Sequence, residues 1–420
     1  MDKLLVRGGK KLSGEVIISG SKNASLPIII SSILFNNDLE LGNVPKVKDV
    51  YTLINLLKLL GKNSVFEQDN SNLKIFNIKN NKYLAPYSIM KTMRAGVLVL
   101  GPLLAKYGKA KVSLPGGCAI GARPINLHLY ALKKLGAILS IKDGYVEAKV
   151  KNGLIGNKIR FKKISVGATE CAIMSATLAK GKTIITNAAI EPEIIDLIEF
   201  LNSCGAKISW GKNRKIIIRG VRTLKPVKYN VIPDRIEAGT YAVAALITDG
   251  KLLIKKVNID HLDSTFNVLK DMGAKIKIFA DSFLISRNKK LRPTKIKTKV
   301  YPGFATDMQA QIMTLACLTD GTSVIKEDIF ENRFLHISEL LRMGANIEIK
   351  KQKAIVKGVK NFNSAEVMAT DLRASVSLVL AGLSTKGITT INRLYHLDRG
   401  YEKIEKKLKL CGADIQRING

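Results

Sequence analysis

EFLNSCGAKI (residues 199–208) reads as the closing turn of an amphipathic helix, a glycine, and the opening of a strand. Leu197, Ile198 and Leu201 recur at helical spacing and give the helix one apolar face. A glycine just past the last turn supplies the left-handed position at which other side chains are strained. AKISW (206–210) follows as a strand, then a turn at 211–213 and a partner strand KIIIRG (215–220), so the helix runs into a hairpin. The same phrase returns as LLKLLGKNSV (56–65), ALKKLGAILS (131–140), VLKDMGAKIK (268–277), ELLRMGANIE (339–348) and KLKLCGADIQ (407–416). The six glycines, Gly61, Gly136, Gly205, Gly273, Gly344 and Gly412, are separated by 75, 69, 68, 71 and 68 residues. That period is regular and too long for a solenoid, so each repeat is a small α/β module.

A second phrase precedes the first: a helix of small residues that breaks at glycine into a strand. It reads ATLAKGKTIITNA (176–188), ALITDGKLLIKKV (245–257), TLACLTDGTSVIKE (314–327) and LVLAGLSTKGITTINR (378–393). The module is therefore helix, strand, helix, hairpin. With 420 residues, 46% of them hydrophobic, the chain is long enough for two domains of three modules each.

Composition excludes several classes of function. No run of 18 apolar residues is present, and MDKLLVRGGKKL at the N-terminus lacks the apolar segment of a signal peptide, so a cytoplasmic protein without a membrane partner is expected. Five scattered cysteines without a Cys-x-x-Cys pair, and only 4 histidines, argue against a metal site or a disulfide framework. The net charge of +34 invites a nucleic-acid reading, but the lysines are spread over nearly every segment and aromatics make up only 6%. A solvated basic surface is expected instead, one that favours a phosphorylated small molecule over a nucleic acid.

Reactive residue types concentrate in four places. SGSKNASL (19–26) delivers Lys22 and Asn23 at the junction of a strand and an apolar helix, where Lys22 can hold an anion or merely belong to a helix cap. LPGGCAIGARP (114–124) places Cys118 in a loop of small residues with Arg123 nearby, before a helix expected to start at Pro124. That setting stabilises a thiolate able to donate a proton or attack, whereas Cys171, Cys204, Cys317 and Cys411 lie in apolar phrases and read as core filler. Arg94, Arg373 and Arg399 stand in small or apolar phrases where a guanidinium needs an anion. Asp371 and Asp398 lie close in sequence to two of them, so structural ion pairs compete with clamping of a phosphate or carboxylate. In YPGFATDMQAQ (301–311), Asp307 opens an apolar helix, as a cap or as a general base.

Together SGSKNASLP, LPGGCAIGARPINLH, SVGATE, NAAIEPEIIDL, PDRIEAGTY, TDMQAQ, ENRF, ATDLRAS and YHLDRGYE resemble, in order and over the whole chain, the UDP-N-acetylglucosamine enolpyruvyltransferase family. The resemblance implies an inside-out α/β barrel with two domains, each of three βαβαββ-like repeats, residues 22–229 and residues 1–21 plus 230–420, with the substrates between them. It implies transfer of enolpyruvyl from phosphoenolpyruvate to the 3-hydroxyl of UDP-N-acetylglucosamine, with no cofactor or metal and a monomer or weak oligomer. Cys118 matches the family's general acid and Asp307 its base. Lys22, Arg123 and Arg399 match the cations around phosphoenolpyruvate, with Arg373 and Arg94 beside them. The nucleotide sugar falls to Asn23, Arg94, Arg123, Pro124, Ile125, Asn126, Leu127, Lys163, Ile164, Ser165, Val166, Asp307 and Ile329. Asn126 stands where many members carry aspartate, and Ala305 where proline is commoner. The alternative with the same fold, 5-enolpyruvylshikimate-3-phosphate synthase, uses no loop cysteine as acid, so the Cys118 phrase argues against it.

Overall fold

The computed structural model describes residues 2–67, 70–78, 82–116, 124–287 and 290–420. Among these residues the strands form six four-stranded sheets. The third sheet shows the plan. Lys158–Arg160 is an edge strand, and the helix Val166–Thr177 leads from it to Lys182–Thr186, which pairs parallel to that edge. The helix Pro192–Ser203 then leads to the hairpin Lys207–Gly211 and Lys215–Arg219, whose second strand pairs antiparallel to Lys182–Thr186. The hairpin turn is made by Asn213 and Arg214, both left-handed at φ 57° and 55°, as a tight turn between twisted strands requires, while Gly211 is still in the strand.

Three modules borrow a strand from elsewhere in the chain. Tyr229–Asn230 returns to pair parallel with Leu39–Gly42 and completes the first sheet. Ser13–Ile17 is the edge strand of the fourth sheet, parallel to Lys251–Lys255. Lys3–Arg7 lies between Ile388–Asn392 and Asp414–Ile418 in the sixth, so the last hairpin expected from the repeat is not local.

The chain divides into two compact units, one made of residues 2–19 and 233–420, the other of residues 20–116 and 124–232. Each has its own apolar core and three of the sheets. In the first, Arg235–Ile247, Gln309–Ala316 and Leu372–Leu383 pack on one another, and nearly every residue in them is buried. Helices apolar all round belong in an interior. Their small residues permit close approach: a Cβ at Gly239 would lie 2.7 Å from the Met308 side chain. The strands around them alternate buried and exposed positions, as in Lys251–Lys255 and Lys353–Lys357. Helices inside and sheets outside are the inside-out α/β barrel. Lys22–Ser31, Leu100–Tyr107 and Val166–Thr177 are the corresponding inner helices of the other unit.

All six repeat glycines have φ between 83° and 107°. At Gly136 and Gly205 an added Cβ would meet nothing within 4 Å, so the requirement there is backbone conformation, not space. Among the described residues no helix is long and apolar enough to cross a membrane.

Candidate functional site

In the unit of residues 2–19 and 233–420, charge gathers at Asp307. It sits in the short turn Thr306–Met308 that leads into Gln309–Ala316, and neither the turn nor the helix has a side-chain N-cap. Its oxygens accept instead from two arginines: Oδ1 from Arg333 Nη2 at 2.6 Å and Oδ2 from Arg373 Nη2 at 2.8 Å. Both guanidinium side chains are 5% exposed and the carboxylate 27%. Buried cations are costly unless paired, so one aspartate makes two of them tolerable and is itself oriented by both. Arg373 Nη1 donates to Tyr401 Oη at 3.1 Å, and that hydroxyl is 2.9 Å from Thr240 Oγ1. Gln311 Nε2 donates to the Asp307 carbonyl at 2.9 Å and to Thr240 Oγ1 at 3.2 Å, closing the network.

The ion pairs suggested by sequence neighbours are replaced by others. Asp371 caps the helix Leu372–Leu383, accepting from the backbone N–H of Arg373 and of Ala374, while the Arg373 guanidinium goes to Asp307. Asp398, beside Arg399, is held by Arg417 through two bonds of 2.9 and 2.6 Å, and Arg417 also takes Asp2. Arg399 closes the turn Leu394–Arg399, half-buried, two residues before Tyr401. Ile329, half-buried, follows the strand Thr322–Lys326, and its N–H donates to Glu327 at 2.8 Å.

In the other unit every described candidate lies where a helix or turn begins. Lys22 opens Lys22–Ser31 behind the cap Ser21, with Nζ 3.4 Å from Asp49 Oδ2 and both side chains largely buried. Asn23 follows it, half-buried. Arg94 opens Arg94–Val99. Pro124 is exposed and Ile125 buried, and the helix starts two residues later than expected, at Asn126, with Leu127 next in Asn126–Lys134. Lys163 is exposed and Ile164 half-buried. Ser165 caps Val166–Thr177 by accepting from Ala168 N at 3.3 Å. Gly167, second in Val166–Thr177, lies against two neighbouring segments: a Cβ there would be 2.9 Å from His128 Nε2 and 3.9 Å from Leu98. The helix dipole makes such openings favourable to anions. Cys118 and Arg123 lie outside the described residues.

The sequence pattern of the EPSP synthase (3-phosphoshikimate 1-carboxyvinyltransferase) family matches residues 6–408. The UDP-N-acetylglucosamine 1-carboxyvinyltransferases of Pelagibacter ubique and Geobacter metallireducens are 56% and 54% identical to this chain, over 100% of both partners in each case. The chain belongs to the carboxyvinyltransferase family. Two solved structures share this carboxyvinyltransferase fold. The enolpyruvyl transferase NikO from Streptomyces tendae has a TM-score of 0.90 at 24% identity, covering 100% of this chain and 99% of that one. EPSP synthase from Acinetobacter baumannii has a TM-score of 0.76 at 17% identity, with both chains fully covered.

Four cysteines of this carboxyvinyltransferase are inert by environment. Cys171, Cys204, Cys317 and Cys411 are buried, and burial raises every one of these thiols, Cys171 and Cys317 to about 12. Two residues at the Asp307 cluster escaped the sequence reading. Arg333 stands in a polar phrase, ENRF, and resembles a solvent residue; only its fold neighbours bury it. Glu327 follows a strand like many surface glutamates, yet is 2% exposed. ENRF is one of the phrases that carry the family resemblance, but it assigns no role to Arg333, and nothing in the local wording marks Glu327.

Proposed function

We propose that this chain transfers the enolpyruvyl group of phosphoenolpyruvate to the 3-hydroxyl of UDP-N-acetylglucosamine and releases phosphate. The observation that carries the reading is the full-length likeness to relatives named for that acceptor. The reaction commits the sugar to peptidoglycan in the cytoplasm, which ties the enzyme to wall growth, cell shape and division.

Chemically, the Cys118 thiol donates a proton to C3 of phosphoenolpyruvate and C2 becomes electrophilic. The sugar 3-hydroxyl attacks C2 and gives its proton to Asp307, forming a tetrahedral ketal. A C3 proton passes back to the Cys118 thiolate as phosphate departs, which restores the double bond and the thiol. The clamp of Arg333 and Arg373 supports the role of Asp307, because it fixes the carboxylate while leaving part of it accessible. Lys22, Arg123, Arg373 and Arg399 compensate the phosphate and carboxylate of phosphoenolpyruvate. Asn23, Arg94, residues 123–127, residues 163–166 and Ile329 hold the nucleotide sugar, with backbone donors at helix openings suited to its diphosphate.

Phosphate release from phosphoenolpyruvate, followed with UDP-N-acetylglucosamine and separately with shikimate 3-phosphate, tests the reading. Turnover is expected with the first acceptor alone. Turnover with shikimate 3-phosphate would move the chain to the other branch of the family.

A further inference from the structure

Glu327 follows the strand Thr322–Lys326, and its side chain is almost fully buried. A buried carboxylate must be satisfied by donors. Here they come from three separate stretches of chain. Oε1 accepts from Thr298 Oγ1 at 2.9 Å, from Ile329 N at 2.8 Å and from Phe330 N at 3.2 Å. Oε2 accepts from Thr306 Oγ1 at 2.9 Å. Thr298 is tied in a second time, accepting from Asp328 N at 3.0 Å.

Thr306 is the residue before Asp307, and Phe330 begins the short run to Arg333, whose guanidinium meets Asp307 at 2.6 Å. The carboxylate of Glu327 therefore closes a ring through Thr306, Asp307, Arg333 and Phe330. We propose that Glu327 is a positioning residue for Asp307 and for the turn that carries Ile329: it fixes the distance between the two turns on which the base and its clamp ride. The inference rests on the reading of Asp307 as the base that receives the sugar proton. Hydrogen bonds to a charged acceptor are about twice as strong as neutral ones, which suits a tie between two irregular segments. Glutamine is a weaker replacement: its one carbonyl oxygen can keep the donors on Oε1, but toward Thr306 Oγ1 it presents a neutral N–H, so that tie survives only with the hydroxyl turned to accept and without the charge.

The test uses Glu327→Gln and Thr306→Val in the full chain, with kcat, both KM values, calorimetric binding of UDP-N-acetylglucosamine and thermal melting. Glu327→Gln is expected to lower kcat and to raise the KM of UDP-N-acetylglucosamine, each by about tenfold, while leaving the KM of phosphoenolpyruvate within about twofold. Thr306→Val should move the same constants in the same direction by less. The double variant should be no worse than Glu327→Gln, because the charge-assisted bond they share is already gone. A purely structural glutamate gives another pattern: lower melting and a smaller active fraction, with both KM values and the calorimetric affinity at parent levels. That pattern in both variants, or additive losses in the double variant, overturns the proposal. If Glu327→Gln does not fold, Thr306→Val decides alone, and parent kinetics there overturn it. A parent enzyme inactive with UDP-N-acetylglucosamine fails the reading of function and the inference with it. An active parent matched by both variants fails the inference alone.

Discussion

Asp307 and Arg373 are joined Oδ2 to Nη2 at 2.8 Å, across 66 residues of sequence, with the guanidinium almost wholly buried. The pair makes the aspartate at once a candidate base and the counter-ion of two cations. Those two roles predict different losses on substitution.

Asp307→Asn should lower kcat by about 10²-fold or more with a much smaller change in KM, because a base acts as the hydroxyl attacks and contributes little to ground-state binding. It should also destabilise the fold by on the order of 3 kcal/mol, since Arg333 and Arg373 stay buried without their carboxylate. Steady-state kinetics on the folded fraction separates the two effects. Parent kcat in a protein that merely melts lower would leave Asp307 as a counter-ion only.

Thiol chemistry should fall on Cys118. An epoxide mimic of phosphoenolpyruvate is expected to label that residue and stop turnover, while Cys171, Cys204, Cys317 and Cys411, buried and held protonated, stay unmodified until the chain is denatured. Cys118→Asp should retain some activity, since a carboxylic acid can also donate a proton, and should resist the epoxide. Peptide mass spectrometry of the native, labelled enzyme checks both; label on Cys171 or Cys204 contradicts the assignment.

Much of the fold is legible in the amino-acid sequence. The spacing of Gly61, Gly136, Gly205, Gly273, Gly344 and Gly412 announces six modules because one backbone conformation, φ near 90°, is needed at the same point of each. The strand exchanges are different. Lys3–Arg7 and Tyr229–Asn230 pair with strands far away in sequence, and an alternating apolar strand carries no mark of its partner. The site divides similarly. Asp307 and Arg373 stand out as charges in small or apolar phrases, whereas Arg333 and Glu327 are buried by residues brought in from elsewhere, and Asp371 and Asp398 mislead because sequence neighbours are not necessarily ion-pair partners.

Stability should fall as the solution is made alkaline, and Glu170 should be one cause. Burial first, then the charges of Glu193 and Glu191, push its carboxyl from an ordinary 4.5 up to about 8. The folded chain therefore keeps a proton on Glu170 that the unfolded chain has lost, and its contribution to stability declines as pH rises from 4.5 to about 8. Glu170→Gln should flatten that decline and raise stability at pH 8 by on the order of 1 kcal/mol or more, with little gain near pH 4.5. Urea denaturation of both proteins at the two pH values measures the difference; equal slopes with pH would show that Glu170 ionises normally.

The repeat glycines should be separable from catalysis. Gly205→Ala places a side chain at φ 96° with open space around it, so the expected loss is about 1–2 kcal/mol of stability from backbone strain alone. Denaturant titration together with phosphate-release kinetics should find the stability loss and unchanged KM values. A variant as stable as the parent would contradict the conformational reading of the six glycines.

Mass spectrometry of the products tests the identity of the acceptor most directly. After incubation of the enzyme with phosphoenolpyruvate and an equal mixture of UDP-N-acetylglucosamine and shikimate 3-phosphate, the nucleotide sugar should carry an enolpyruvyl ether on its 3-oxygen, in amounts equal to the phosphate released. Modified shikimate 3-phosphate, or phosphate release with neither acceptor modified, would contradict the account.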